Sequence, residues 1–378
     1  MKTKKLLAII LTFIMLLSAF CFSSAAAEVT RILAGSDFQH PDGNAAGQKT
    51  VDAIINAIKA DGIESADGFL FCGDYDHDLT TLPIPTSRGV KALTESVNKL
   101  VPADAPHVYV EGNHDSAIGT AGLSQSGNND PESGAYGVFV INEDNYMWMS
   151  LSGNVVKNTA AALRLYLNEK ITEGYKAPVF VLSHVPLHYS YRTRQDGDAI
   201  YAKYLFDVLN EAGAKGLNIF FLFGHDHSSG WDDYIGGASV CLEKGDSINI
   251  AKKGKRFSWE TETLNFTYMN AGYTGYYNNE NGADDALTMS LFTITEDSVT
   301  IDRYSADGKH DLKSKGVTNA HKNEKGYAPD TSVKPSGLTV TLTEVNDTTP
   351  IQGSEKDLFT KIIHVFFNLF EGFMNIIC

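Results

Sequence analysis

The chain has 378 residues, 43% of them hydrophobic and 20% charged, which is enough apolar material for one large packed domain or two modest ones. Its formal net charge of −15 excludes broad electrostatic binding along an extended nucleic acid, which needs a basic surface. A small anionic ligand is not excluded, because bound cations can set the local field of a site against the charge of the whole molecule.

Residues 1–27 read as a signal peptide. Lys2, Lys4 and Lys5 give a positive start, residues 6–22 an apolar run, and Ala25-Ala26-Ala27 a small-residue cleavage site. The competing reading is a retained anchor, since the run is close to the shortest that spans a bilayer. Phe20 stands where lipid attachment at Cys21 would need a small residue. The reading therefore places the protein outside the cytoplasm, secreted or surface-associated.

Apolar, β-rich runs at 29–35, 68–72, 107–110, 178–182 and 218–223 predict strands, and helical periodicity at 51–59, 90–100, 158–172 and 200–212 predicts helices between them. From about residue 233 to 305 the runs alternate at period two between turn residues, as at 287–303 around Glu296-Asp297. That pattern predicts antiparallel strands. Together these elements predict an α/β (α+β) domain over 28–305, with two sheets at the core and helices outside. Cys72, Cys241 and Cys378 are far apart with no paired spacing, so no disulfide framework is expected, and Cys72 at a strand end reads as a buried thiol.

Residues 306–354 read as a linker, polar up to about 335, with one extra strand at 338–345. The end of the chain, 355–378, reads as an amphipathic helix. Its polar residues Asp357, Lys361, His364, Asn368, Glu371 and Asn375 form one narrow stripe, and almost everything else is apolar. So wide an apolar face fits peripheral membrane attachment or self-association, and equally a cover over an apolar groove.

Several predicted strands end alike, with a polar group directly after the apolar run. The series is Asp37-Phe38-Gln39-His40, Gly73-Asp74, Gly112-Asn113-His114-Asp115, Ser183-His184 and Gly224-His225-Asp226-His227. Strand ends hold side chains rigidly at one edge of a sheet, where α/β folds keep their sites. Carboxylate, amide and imidazole ligands together suit divalent metals such as Mn, Fe or Zn. A single Asp after a strand is usually a turn former, whereas His225 and His227, alternate residues on an extended chain, point to one side.

In this order the motifs resemble the calcineurin-like metallophosphoesterase superfamily, over about residues 30–305. The resemblance implies a four-layer αββα β-sandwich flanked by helices, and an enzyme that hydrolyses phosphate esters with a metal-bridging hydroxide. It implies two divalent ions: Asp37, Gln39 and His227 on one, Asn113, His184 and His225 on the other, with Asp74 bridging. His114 corresponds to the active-site histidine that protonates the leaving oxygen, and Asp115 is a candidate to fix its tautomer. Chemistry supports the arrangement, since two ions roughly 4 Å apart supply both a nucleophile and charge neutralisation.

The sequence departs from the commonest pattern at Gln39, where most members carry His. An amide oxygen makes that site harder and favours Mn or Mg, so Mn²⁺ leads, with Fe, Zn and Mg as alternatives. His77 stands where purple acid phosphatases carry Tyr, which disfavours an iron–tyrosinate centre. After His184 come Tyr189, Tyr191, Arg192 and Arg194, with Tyr273, Tyr276 and Tyr277 in a later Gly-rich turn. Arginines grip a second phosphate bidentately and tyrosines stack on a base or sugar, which tilts the expected small substrate towards phosphodiesters or diphosphates. The same residues also read as rim packing. The alternatives are a phosphomonoesterase and, outside enzymes, a surface binding protein on a phosphoesterase scaffold, whose mark would be lost ligands.

Overall fold

The structure, a computed structural model, describes residues 29–39, 43–75, 87–115, 127–128, 134–141, 153–190, 193, 197–225, 241–275, 287–306 and 337–352. The signal peptide, His40, His77, Tyr191, Arg192, Arg194, His227, Tyr276, Tyr277 and the helix expected at 355–378 lie outside the described residues.

Two six-stranded sheets form the centre. The first half of the chain supplies β1 (Thr30–Gly35), α1 (Asn44–Ala60), β2 (Gly68–Cys72), α2 (Ser87–Val97) and β3 (His107–Val110), with β1, β2 and β3 parallel. Next come β4 (Gly127–Asn128), β5 (Gly137–Ile141), α3 (Gly153–Thr172), β6 (Val179–Ser183), α4 (Lys203–Ala214) and β7 (Ile219–Phe223). In this set β5, β6 and β7 are parallel. The remaining strands are β8 (Cys241–Leu242), β9 (Ser247–Ala251), β10 (Trp259–Thr263), β11 (Thr267–Asn270), β12 (Thr288–Ile294), β13 (Ser298–Ser305) and β14 (Leu338–Thr341). Sheet one runs β14-β13-β12-β1-β2-β3, sheet two β4-β5-β6-β7-β11-β8, and β9 pairs β10 in a separate hairpin.

The pleat explains the layering. Ile32, Ala34, Leu70, Cys72, Val108 and Val110 of sheet one meet Val138, Val140, Phe180, Leu182, Phe220 and Leu222 of sheet two between the sheets. The alternate residues Leu33, Phe69 and Phe71 face outward onto Val51, Ile54, Ile55 and Ile58 of α1 and Leu93 and Val97 of α2. On the far side Val179, Val181, Ile219 and Phe221 pack with Leu163 and Leu167 of α3 and Leu205, Phe206 and Leu209 of α4. Strands buried on both faces read as unbroken apolar runs such as IFFLF. Truncating one such side chain, for example Phe69→Ala, costs roughly 3–5 kcal/mol.

Several elements differ from the sequence-based expectation. α1 begins seven residues before Val51, because its first turns carry small residues that let it approach the first motif; a Cβ on Gly47 would come within 2.8 Å of the Phe38 ring. β5, which the periodicity reading leaves unassigned, is a short, fully buried parallel strand. The later strands are antiparallel only in part, since β11 lies parallel to β7.

The extra strand expected near 338 is β14, an antiparallel edge strand on β13. The chain then crosses the sandwich. Leu342 enters the core between the sheets, Thr343 bonds Asn218, the Asn346 N–H donates to the Lys215 carbonyl, and Ile351 exchanges backbone bonds with the Asn168 amide of α3. The packed body thus runs on to residue 352, past the boundary expected at 305, because this segment buries apolar side chains in both layers.

Candidate metal centre

The motif residues come together at one end of the sandwich, after the C-terminal ends of β1, β2, β3, β6 and β7. Their loops are stitched in pairs. The backbone N–H groups of Asp37 and Phe38 donate to the carbonyls of Gly73 and Asp74, and Gly224 N–H donates to the His184 carbonyl. Across the seam, the backbone N–H of His225 donates to the Asp37 carboxylate at 3.1 Å.

The turns are sharp. Asp37, Asp74 and His225 have φ of 52°, 62° and 65°, the left-handed region that non-glycine residues rarely occupy. Such strain persists where the surroundings over-determine it, and it clusters at functional sites. Glycines let the chains close in. A Cβ on Gly112 would lie 2.2 Å from an Asp74 carboxylate oxygen, and one on Gly224 would lie 2.7 Å from an Asp37 carboxylate oxygen.

Asp37, Asp74 and His184 are buried, and each offers a ligand atom within 4.8 Å of the others. Asp74 Oδ2 lies 3.3 Å from His184 Nε2 and is also hydrogen-bonded by the Gln39 amide, while Oδ1 accepts the backbone N–H of His114 at 2.9 Å. Asn113 Oδ1 sits between two imidazoles, 2.9 Å from His184 Nε2 and 3.0 Å from His225 Nδ1. Asp37, Gln39, Asp74, Asn113, His184 and His225 therefore share one cluster. His114 is half-buried and adjoins the cluster through its backbone N–H on Asp74.

Each imidazole is held from behind by a group that can only accept. His184 Nδ1 is 2.7 Å from the Cys72 carbonyl, and His225 Nε2 is 3.1 Å from Asp198 Oδ2. The rear nitrogens therefore carry the protons, and the forward nitrogens present lone pairs to Asn113 Oδ1 and Asp74. Acceptors facing acceptors at about 3 Å need a cation among them. Two ligands on one ion at right angles, each about 2.1 Å away, are themselves about 3 Å apart, which matches these separations. The donor set thus fits a divalent metal.

Without the metal, a proton fills that role. Burial opposes charge on Asp74, but the His184 charge and hydrogen bond, with His114, hold its carboxyl down at about 2. Burial likewise opposes charge on His184, yet the Asp74 carboxylate, aided by Asp37, raises it to about 10. The direction is clear: the pair is ionic, and a metal would displace the imidazole proton.

Asp115 does not fix the His114 tautomer. Its carboxylate accepts three backbone N–H bonds, from Asp74 at 2.9 Å, Tyr75 at 2.9 Å and Gly112 at 2.8 Å, and so ties the second motif to the third. Burial, then the neighbouring Asp74 charge, push it well above the usual carboxylate range against those bonds. Tyr189 and Tyr273 are buried packing residues rather than rim groups; Tyr189 donates to the Arg256 carbonyl and lies against Trp259. Cys72 is a buried free thiol, pushed up by burial. Sequence reasoning missed Asp198. Gly197 beside it signals a turn, but nothing local shows that the turn faces His225.

The profile of the calcineurin-like phosphoesterase family matches residues 30–229, more than half of the chain. The chain belongs to this family, and is a hydrolase acting on phosphoester bonds. No curated protein matches it. Among solved structures it is similar to a dimetal phosphatase from Danio rerio, at 10% identity over 73% of this chain and 96% of that one, with a TM-score of 0.45. It is also similar to GAP50, the anchor in the inner membrane complex of Plasmodium, at 12% identity over 82% and 99% of the two chains, with a TM-score of 0.41.

Proposed function

We propose that the protein is an exported phosphohydrolase with a dinuclear centre, acting on small phosphodiesters or diphosphates ahead of monoesters. The observation that carries this reading is the convergence of the buried carboxylates of Asp37 and Asp74 with the Asn113 amide oxygen and the His184 and His225 imidazoles. Asp37, Gln39 and His227 would hold one ion and Asn113, His184 and His225 the other, with Asp74 shared between them. Mn²⁺ is the preferred metal, because Gln39 adds an oxygen donor to a carboxylate-rich site.

When bound, the ions supply Lewis acidity towards the phosphoryl oxygens and acidify water. The chain's own residues do the rest. His114 delivers a proton to the departing oxygen, general-acid work for which histidine is the commonest side chain. Arg192 and Arg194 bind the second phosphate or second ester arm. In the sequence they stand between His184, a member of the cluster, and Asp198, which contacts His225, and this supports the reading.

The mature chain, reconstituted with Mn²⁺, should hydrolyse bis-aryl phosphodiesters and nucleoside diphosphates faster than phosphomonoesters, and should lose all activity on chelation. Full activity in a sample shown metal-free by elemental analysis would refute the mechanism; a monoester preference would refute the substrate class alone.

The tail at 355–378 attaches the enzyme to a membrane surface or a second copy without covering the site. The packing of Ile351 on Asn168, at the end of the sandwich opposite the centre, supports this. No described helix is long and apolar enough to cross a membrane. Deleting 355–378 should leave turnover unchanged and release the protein from vesicles or from an oligomer. An insoluble, inactive truncation would make the tail part of the folded body.

A further inference from the structure

One buried carboxylate near the cluster is not explained by the motif series. Asp198 is almost fully buried, and its Oδ2 lies 3.1 Å from His225 Nε2. The turn that carries it is unusual. Gly197 has φ of 87° and Ala199 has φ of 56°. A Cβ on Gly197 would lie 2.7 Å from the Arg256 guanidinium, so only glycine lets that side chain lie against the turn. Arg256 belongs to the turn joining β9 and β10, which is itself fastened: the Tyr189 hydroxyl donates to the Arg256 carbonyl, and Gly254 N–H donates to the Ile200 carbonyl, both at 2.7 Å.

We propose that Asp198 is a positioning residue for the centre. It holds the His225 ring with the proton on Nε2, so that Nδ1 faces the ligand cluster as an unprotonated donor. The inference rests on reading the cluster as a metal centre. The argument is geometric. A carboxylate can only accept, so the nitrogen it touches must be the one bearing hydrogen. With an ion in the cluster, the other nitrogen, 3.0 Å from Asn113 Oδ1, presents its lone pair to it. For His184 the same work falls to a backbone carbonyl, that of Cys72, which no substitution removes. For His225 it falls to a side chain on a separately braced turn, so this half of the centre can be tested by mutation.

The test uses the mature protein with Asp198→Ala and Asp198→Asn, each checked for folding by thermal melting in chelator. Long-range nitrogen–proton NMR on the metal-free protein should show His225 protonated at Nε2 in the wild type and in Asp198→Asn, whose amide oxygen still accepts. In Asp198→Ala it should show a tautomer mixture. Calorimetric Mn²⁺ titration should give two sites in the wild type. One of the two should lose roughly 10–100-fold in affinity in Asp198→Ala, the usual effect of removing a group behind a metal-bound histidine, and no more than a few-fold in Asp198→Asn. Wild-type tautomer and affinities in Asp198→Ala, or an Asp198→Asn variant as impaired as Asp198→Ala, would overturn the proposal while leaving the metal centre standing. A wild type that takes up no Mn²⁺ would instead overturn the metal centre, and the NMR result would still decide the role of Asp198.

Discussion

The two sheets contribute unequally to the centre. Sheet one brings oxygen, with Asp37, Gln39, Asp74 and Asn113 after β1, β2 and β3. Sheet two brings nitrogen, with His184 and His225 after β6 and β7. The oxygen side is locked by hydrogen bonds within and between its own loops, among them those from the three backbone N–H groups that the Asp115 carboxylate accepts. The nitrogen side is locked from behind, through the rear nitrogen of each ring. One half therefore supplies negative charge in a fixed place, and the other supplies neutral donors in a fixed tautomer. Changes to the first half should alter charge and be severe, whereas changes to the second half should alter affinity.

The severest test is Asp74→Asn. It removes the carboxylate that touches Gln39, His184 and the His114 backbone together, and turnover should fall to background with loss of bound Mn²⁺. An Asp74→Asn enzyme with two tightly bound ions and near-normal turnover would remove the bridge from the scheme. His114→Ala should come next, slowing the chemical step by roughly 10²–10⁴ while metal content stays at the wild-type level. Loss of metal in that variant would make His114 a ligand instead of an acid.

Asp115 belongs to the oxygen side but acts on stability. Asp115→Ala strands three buried backbone N–H groups and should lower unfolding free energy by about 3 kcal/mol, measured by urea titration. A change in turnover without a change in stability would assign Asp115 to the chemistry.

The seam between the halves has its own pH signature. In metal-free protein Asp74 is lowered from 3.8 to about 2 and His184 raised from 6.5 to about 10. Their mutual stabilisation is thus complete between pH 3.8 and 6.5, is lost on the acid side as Asp74 protonates towards 2, and on the alkaline side as His184 deprotonates towards 10. The Tm of chelator-stripped protein should fall from pH 6.5 to 10, and saturating Mn²⁺ should flatten that limb, because the ion takes the place of the proton. A level Tm across that range in stripped protein would mean that the pair does not form.

What could be read from the chain follows the same division. Strands buried on both faces announce themselves as apolar runs, and their polar ends place Asp37, Asp74, Asn113, His184 and His225 in order from the sequence alone. Their supports are another matter. Asp115 looks like part of the third motif and serves the backbone of the second. Asp198 lies 27 residues from the histidine it backs, on a turn whose shape depends on how Arg256 sits against Gly197. Contacts of that kind arise from tertiary packing and leave no local pattern. Parallel pairing of β11 with β7 and the crossing of 342–352 are hidden for the same reason, since period and polarity do not specify a strand's neighbour.

The smallest expected effect, Gln39→His, tests the oxygen side most finely. Gln39 is almost fully buried, and its side chain reaches Asp74 Oδ2, so it belongs to the cluster. The amide turns its NH₂ to the carboxylate; oxygen and nitrogen of an amide exchange by a half-turn, and an ion in the cluster would draw the oxygen inward. Imidazole at this position is a softer donor that favours Zn and Fe, where the amide oxygen favours Mn and Mg. Gln39→His should therefore keep a working enzyme, with Mn²⁺ turnover within a few-fold of wild type, while competition titrations move the Zn-over-Mn preference up by about 10-fold. Gln39→Ala should weaken one of two Mn²⁺ sites and leave the other intact. His40→Ala should retain both, since it is the Gln39 side chain that reaches Asp74 in the cluster. Two ions in Gln39→Ala with one in His40→Ala would transfer the ligand role to His40, and the oxygen side would then be one donor poorer than drawn.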